Sequence, residues 1–376
     1  MQLLASAFAA ALLASNVAAY PGQSAVEMRA EMAERAAFMS TSKRELSHCA
    51  EILKARGLKA KNLARRAQIA KEARKKRDIA ISAPYFKARD AAAIANTTHL
   101  STEAYTNATD ESIVFSGNGS CILSPEVTQG PYYVSGEYVR YDITEDQEGV
   151  ELLLDTQVID MVTCNPVTNT MVEIWHCNST GVYSGIVASG NGDSSDTTNL
   201  DKTFLRGLQP TDPDGVAKFQ TMFPGHYTSR ATHIHVLAHF SGTQYANGTY
   251  GGGYVSHVGQ LFFDQDLITQ VEATSPYSTN TQEITENAVD TIFTEEAASS
   301  DPVVEYSLLG SSVSDGVFGW VAFGIDLTSE QTVSPAASLY ADGGVENASS
   351  GGGGGSAPSG AMSGGAPAAR RVRVLL

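Results

Sequence analysis

The run from Thr232 to Phe240, Thr-His-Ile-His-Val-Leu-Ala-His-Phe, constrains this chain more than any other stretch. It is apolar, follows Pro224-Gly225 and carries two histidines two positions apart. A run of this length and character suits an interior β-strand, and on a strand residues two apart share a face. His233 and His235 therefore present two imidazoles to one space. Neutral imidazole suits iron, zinc and copper, so the pair is half of a metal site if other donors approach it. A lone His-x-His is a weak signal whose plainer reading is a polar strand face. Tyr227 and Arg230, within six residues upstream, favour the metal.

The surrounding sequence sets the fold in which such a strand sits. From Cys121 onward short apolar runs alternate with turn chemistry. Val150 to Val162, Met171 to Cys177, Val216 to Phe223 and Gly259 to Phe263 are the other strand candidates, with Asn165-Pro166, Asp214-Gly215 and Asn247-Gly248 between them. This spacing predicts an all-β sandwich or barrel, mainly antiparallel, rather than alternating βα units. Residues 284–298 read as a short helix, and 303–327 return to strand around Trp320. A chain of 376 residues holds one such domain plus appendages, or two small domains.

The appendages differ in composition. Residues 20–90 form a basic, helix-prone arm that Gly57 divides into two helices, followed by a polar linker over 91–120. The β domain is expected over 121–335. A tail over 336–376, with five consecutive glycines from Gly351, is expected to be disordered. The net charge of −16 is uneven, with 15 basic and 6 acidic residues up to Arg77 against 10 and 35 beyond it. An acidic body disfavours nucleic-acid binding, and no stretch is apolar and long enough to span a bilayer. A basic arm can dock on that body or on a second subunit, giving a homodimer. The run Arg74-Lys75-Lys76-Arg77 reads equally well as a processing site or as a solvated helix end.

Met1 to Ala19 has the apolar core and the small-residue end, Val17-Ala18-Ala19, of a secretory signal. Six Asn-x-Ser/Thr sequons, at Asn96, Asn107, Asn118, Asn178, Asn247 and Asn347, agree with a secreted, extracellular glycoprotein. Four cysteines then fit two disulfides. Cys164 and Cys177 flank an expected hairpin turning near 165–170, which pairs them and leaves Cys49 with Cys121, tying arm to body.

Further donors for the two histidines are found among the tyrosines. Tyr227 follows Pro224-Gly225-His226 just before the strand. Tyr183 lies where a strand opens into the glycine-containing loop Asn178-Ser179-Thr180-Gly181-Val182. Tyrosinate is a hard anionic donor matched to Fe(III), whose charge lowers the phenol pKa.

Thr128-Gln129-Gly130-Pro131-Tyr132-Tyr133, Val172-Glu173-Ile174-Trp175-His176, Gly181-Val182-Tyr183-Ser184, Pro224-Gly225-His226-Tyr227 and Thr232-His233-Ile234-His235 occur in that order. In this combination, over about residues 121–270, the chain resembles the intradiol ring-cleavage dioxygenases, in particular the secreted fungal branch related to protocatechuate 3,4-dioxygenase. The resemblance implies an antiparallel β-sandwich holding a mononuclear, non-haem Fe(III) through Tyr183, Tyr227, His233 and His235. It implies a small aromatic diol and dioxygen as substrates, with Tyr227 as the tyrosinate that substrate displaces and that takes up its proton. The products would be muconate-type diacids. Arg230 matches the family arginine that stabilises charge developing on the ring, and Gln260 a glutamine beside the ligands. Pro131 and Tyr132 are assigned to the substrate wall. The segment between Tyr227 and His233 is shorter than in the bacterial enzymes, which places the choice of catechol outside the resemblance.

Plainer readings stand beside these. Trp175 is expected in the core, His176 as an ordinary polar residue, and His226, His239 and His257 as non-ligands. The alternative for the whole chain is a catalytically silent secreted β-sandwich that binds metal or aromatic wall material.

Overall fold

The structure is a computed structural model, and it describes residues 46–85, 114–115, 120–122, 130–297, 301–331 and 333–347. Numbered along the chain among these residues, the strands are β1 (Ser120–Ile122), β2 (Val134–Ser135), β3 (Glu151–Asp160), β4 (Met171–Trp175), β5 (Arg206–Pro210), β6 (Val216–Met222), β7 (His233–Phe240), β8 (Thr243–Gln244), β9 (Tyr250–Gly251), β10 (Tyr254–Phe262), β11 (Glu305–Leu308), β12 (Val317–Ile325), β13 (Ala337–Tyr340) and β14 (Gly343–Glu346). Two main sheets result. One runs β1-β12-β3-β6 with β11 also on β12; the other runs β10-β7-β4-β5.

The sheets face each other across an apolar core. Leu152, Leu154, Val158, Phe219, Val321 and Phe323 of the first meet Val172, Ile174, Ile234, Val236 and Ala238 of the second. The alternation along β7 is therefore fully determined. Ile234, Val236 and Ala238 point into the core, and His233 and His235 point to the opposite face of their sheet. A slip of one residue would drive both imidazoles into the core, so burial fixes where the histidines go.

The second sheet is antiparallel throughout, as the strand pattern predicts. The first is mixed: β12 runs parallel to both β1 and β3, while β6 and β11 are antiparallel to their partners. β12 is buried at every position and β3 at all but its first. Such burial on both faces is usual for parallel strands, and it is legible in Leu152-Leu153-Leu154 and Val317-Phe318-Gly319-Trp320-Val321. What covers the outer face is the basic arm.

Within the described residues the arm consists of α1 (Ala50–Ala55) and α2 (Leu58–Lys76), broken at Gly57 in the left-handed region (φ 68°) as expected. Ala70 and Ala73 of α2 pack on Leu153, Phe318 and Trp320. Arg65 makes a two-pronged contact with Asp155, 2.7 and 3.0 Å, and Arg77 pairs with Glu151. Arg74 is buried, donates to the carbonyls of Leu309, Ala83 and Pro84, and lies 3.6 Å over the Tyr85 ring. Arg74 and Arg77 thus anchor this helix end on the body, while Lys75 and Lys76 are exposed. Its charges complement the acidic body, as the charge division suggests.

The disulfide pairing read from sequence is incorrect. Cys49 is bonded to Cys164, with Cα atoms 5.3 Å apart, and Cys177 is a buried free thiol. The expected hairpin does not exist, because β3 and β4 belong to different sheets. Cys164 follows β3 toward the arm, among Leu46, Leu58, Ile159 and Met161, whereas the Cys177 thiol donates to the Gly225 carbonyl. The arm is therefore tied to the body through Cys164, not Cys121. The link joins residues 115 apart, and loop-entropy reasoning puts its removal at about 2–5 kcal/mol. Peptide mapping without reduction should return a Cys49–Cys164 peptide. The double change Cys49→Ser, Cys164→Ser should lower unfolding stability by about that amount, and an unchanged denaturation midpoint would refute this role.

Two boundaries also move. β13 and β14 form a hairpin around Ala341-Asp342, with β13 parallel to β2 and Ala336 and Ala337 buried, so the stretch assigned to disorder contributes strands up to Glu346. Val114 and Phe115, in the stretch assigned to a polar linker, are buried, and the Phe115 ring packs against Trp320. The expected signal sequence, the sequons Asn96, Asn107 and Asn118, and the glycine run lie outside the described residues.

Candidate metal centre

Because the core claims one face of β7, the centre forms on the other, beneath the loops that follow β4 and β6. His235 is paired across the sheet with Trp175 on one side and Gln260 on the other, and His233 with Phe262. Partners in adjacent strands share a face, so all these side chains meet. The Trp175 indole stacks flat on the His235 imidazole, 4.6 Å between centroids and 5° between planes. Trp175 is thus buried, as expected of it, but its packing partner is a site residue.

The two tyrosines arrive from loops that lock together. Gly181, at φ 82°, and Gly225 sit where the loops touch. A Cβ on Gly181 would lie 2.3 Å from the His226 carbonyl oxygen, and one on Gly225 would lie 2.6 Å from the carbonyl oxygens of Asn178 and Ser179. Only glycine permits so close an approach. Tyr183 is clamped further by two asparagines. Asn191 accepts from the Tyr183 N–H at 2.7 Å, and both Asn191 and Asn199 donate to the Tyr183 and Ile186 carbonyls at 2.7–2.9 Å. Neither asparagine is signalled by any motif.

Four donor atoms come together as a result. The Tyr183 and Tyr227 phenol oxygens are 3.5 Å apart, Tyr227 Oη is 3.3 Å from His233 Nε2, and the two histidine Nε2 atoms are 3.1 Å apart. All four side chains are buried. His233 Nδ1 lies 2.6 Å from the Ala231 carbonyl oxygen, which places the proton on Nδ1 and leaves Nε2 as a lone pair facing the other donors. Burial, reinforced by the nearby Arg230 charge, holds the pKa of both histidines well below the usual value, so both are neutral donors. Two phenols and two neutral imidazoles whose donor atoms crowd together are what a metal ion would relieve, and they fit a hard trivalent cation. Among the described residues the cluster of His48, Cys49 and Cys164 also brings three donor atoms together, but its thiols form the disulfide.

The remaining expected site residues divide. Tyr132 is buried with its ring 4.9 Å from that of Tyr183 and 6.4 Å from that of Tyr227, whereas Pro131 is exposed at the surface. Gln260 accepts from Arg230 at 2.5 Å. Arg230 is buried and its Nε donates at 2.8 Å to Asp290, which the sequence reading did not single out. Arg206 donates to the Tyr132 and Ser184 carbonyls, both at 2.7 Å, and bridges the Tyr132 segment to the Tyr183 loop. The other histidines are engaged elsewhere. His176 bonds the Cys177 carbonyl and Thr221, and burial pushes its pKa down to about 4. His226 pairs with Glu272 and His239 with Glu173, while His257 is buried beside Ser256.

Comparison with known proteins gives this constellation relatives. Residues 125–270, the stretch containing Tyr183, Tyr227, Arg230, His233, His235 and Gln260, match the family model described as dioxygenase. The chain is 31% identical over 141 residues to the catechol 1,2-dioxygenase of Pseudomonas sp. (strain EST1001), covering 32% of this chain and 44% of that protein. It is 30% identical over 109 residues to the catechol 1,2-dioxygenase of Acinetobacter baylyi (strain ATCC 33305 / BD413 / ADP1), covering 28% and 32%. The chain thus spans less than half the length of these curated relatives. The solved intradiol ring-cleavage dioxygenase from Tetranychus urticae is 30% identical, with 56% of this chain and 98% of that one covered and a TM-score of 0.47. With the model match running through Tyr183, Tyr227, His233 and His235, and catechol 1,2-dioxygenases among the curated relatives, this protein belongs to the intradiol ring-cleavage dioxygenase family.

Proposed function

We propose that the protein is a secreted Fe(III) dioxygenase that opens a catechol-type ring between its two hydroxyl-bearing carbons, yielding a muconate-type diacid. The observation that carries this reading is the convergence of Tyr183, Tyr227, His233 and His235 on one buried point, with donor atoms 3.1–3.5 Å apart in succession. Two tyrosinates against a trivalent ion leave one net positive charge, suited to a dianionic catecholate. The activity named for the Pseudomonas and Acinetobacter relatives supports the same substrate class. Secretion rests on the leader-like first 19 residues and on the sequons, of which Asn247 is exposed.

Iron(III), when bound, would supply a Lewis acid that favours the deprotonated, electron-rich catecholate over the neutral diol. The roles of the protein's own side chains follow from how each is held. Tyr183, with its backbone clamped by Asn191 and Asn199, is the fixed anionic donor. Tyr227 lies between Tyr183 and His233 on the neighbouring loop, and its Oη is the atom placed to take a substrate hydroxyl proton. His233 and His235 remain neutral donors, their rings fixed by the Ala231 carbonyl and by Trp175. Tyr132 closes the side of the site with an aromatic face that excludes water and suits a planar ring. Arg230 offers a buried positive charge to the negative charge that develops as the ring reacts.

The test is oxygen uptake by purified, iron-loaded protein against a panel of catechols. Tyrosinate-to-iron charge transfer should colour the resting protein, and uptake should match formation of the ultraviolet-absorbing diacid. A colourless iron-loaded protein that takes up no oxygen with any catechol would refute the proposal.

A further inference from the structure

The functional residues identified so far lie within residues 125–270, but the acidic partner of Arg230, Asp290, lies beyond that stretch. Asp290 precedes the short helix α3 (Thr291–Ala297), and its buried carboxylate does three things at once. Oδ2 accepts from Arg230 Nε at 2.8 Å and from the Ala231 N–H at 2.7 Å, and Oδ1 accepts from the Phe293 N–H at 2.8 Å. One group therefore grips the arginine, the chain just before the metal-facing strand, and the first turn of its own helix. On the other side Arg230 Nη2 donates to Gln260 at 2.5 Å. Gln260 sits directly across from His235, so the guanidinium is strung between Asp290 and the histidine-bearing sheet.

Burial alone would raise the carboxyl pKa of Asp290, yet the Arg230 charge and the Phe293 and Ala231 amides hold it below the usual carboxylate range. It is an ionised partner at neutral pH. A long arginine side chain loses much rotamer freedom when fixed, and a guanidinium aimed wrongly cannot meet charge that appears only during the reaction. The turn that launches it is also strained, with Ser229 at φ 77°. Arg230 thus leaves an irregular loop, and its direction is set by what it binds.

We propose that Asp290 is a positioning residue of this site, aiming the Arg230 guanidinium by a buried two-point hold on its Nε and on the Ala231 amide. The inference rests on the dioxygenase reading for its kinetic consequence but not for its geometry. Asp290→Asn is the informative change. If the asparagine oxygen still caps Phe293, its NH2 faces the Arg230 and Ala231 donors; if the amide turns over, the cap is lost.

Two readouts separate the outcomes. In full-length, 15N-arginine-labelled protein loaded with diamagnetic gallium(III), the Arg230 Nε–H resonance, assigned by its loss in Arg230→Lys, should be protected from solvent exchange. Asp290→Asn should speed that exchange about tenfold or more, as expected when a buried charge-assisted hydrogen bond is removed. With iron, Asp290→Asn should keep its metal content and colour while kcat falls about tenfold or more with a smaller change in KM, and Asp290→Glu should recover part of the rate. In the Arg230→Ala background the further change Asp290→Asn should cost no additional rate, because the two act as one unit. Unchanged Nε–H exchange, or kcat within about twofold of wild type, would overturn the assignment. If the wild-type protein takes up no oxygen with any catechol, the dioxygenase reading fails, and the exchange rate alone decides whether Asp290 holds Arg230.

Discussion

His235→Ala should purify without iron and without visible colour, and its oxygen uptake with catechols should fall below detection. Every feature of the site makes this substitution severe. His235 lies on the strand at the centre of its sheet, between Trp175 and Gln260, so no mobile neighbour can replace its donor. Its Nε2 faces that of His233 at 3.1 Å, and its ring is held flat against Trp175. Alanine leaves two phenols and one imidazole, a set with too few neutral donors to hold Fe(III) in the arrangement proposed. The fold should survive, because the apolar face of β7, Ile234, Val236 and Ala238, remains in the core. Iron analysis, the visible spectrum and circular dichroism on the same preparation separate the two effects. Stoichiometric iron and undiminished colour in a folded variant would remove His235 from the ligand set. Tyr183→Phe should behave similarly, because it takes away an anionic donor that Asn191 and Asn199 hold in place.

The contrast between what the sequence makes legible and what it hides follows from the range of the interactions. The placement of His233 and His235 on one face is legible because it depends on strand periodicity alone, and the inward-facing Ile234, Val236 and Ala238 admit no other register. The helical arm and its break at Gly57 are legible for the same local reason. The Cys49–Cys164 bond is not, because neighbouring cysteines in sequence suggested a hairpin where the chain crosses between sheets. Nor is β5, whose Arg206-Gly207-Leu208-Gln209-Pro210 carries a buried arginine where apolar alternation would be expected. Its charge is paid for by carbonyl acceptors on Tyr132 and Ser184 that only the fold assembles. Asn191, Asn199 and Asp290 belong to the same class. Each is a common polar residue with no motif around it, and its partners lie beyond its own turn, five to sixteen residues away for the two asparagines and sixty for Asp290 with Arg230.

Arg230→Ala should keep most of its iron and colour yet turn over about a hundredfold to a thousandfold more slowly, the usual loss for a placed charge-stabilising donor. Arg230 contributes no atom to the succession of donors from Tyr183 to His235; its described bonds run to Asp290 and Gln260. The resting metal centre should therefore notice its removal little, whereas charge developing on a reacting ring should notice it strongly. The substitution has a second, independent cost. It strands the Asp290 carboxylate in a buried site with only backbone amides as partners, and breaking such a pair typically costs about 3–5 kcal/mol of stability. Rates must therefore be compared at a temperature where the variant is folded, with the melting temperature measured alongside. Arg230→Lys separates the two costs. It keeps the positive charge for Asp290 and should recover much of the stability, but a single ammonium lacks the planar fork that reaches Asp290 and Gln260 together. Its rate should remain well below wild type. Normal turnover in either variant would strip Arg230 of its role, and loss of iron in Arg230→Lys would place the residue in metal retention instead.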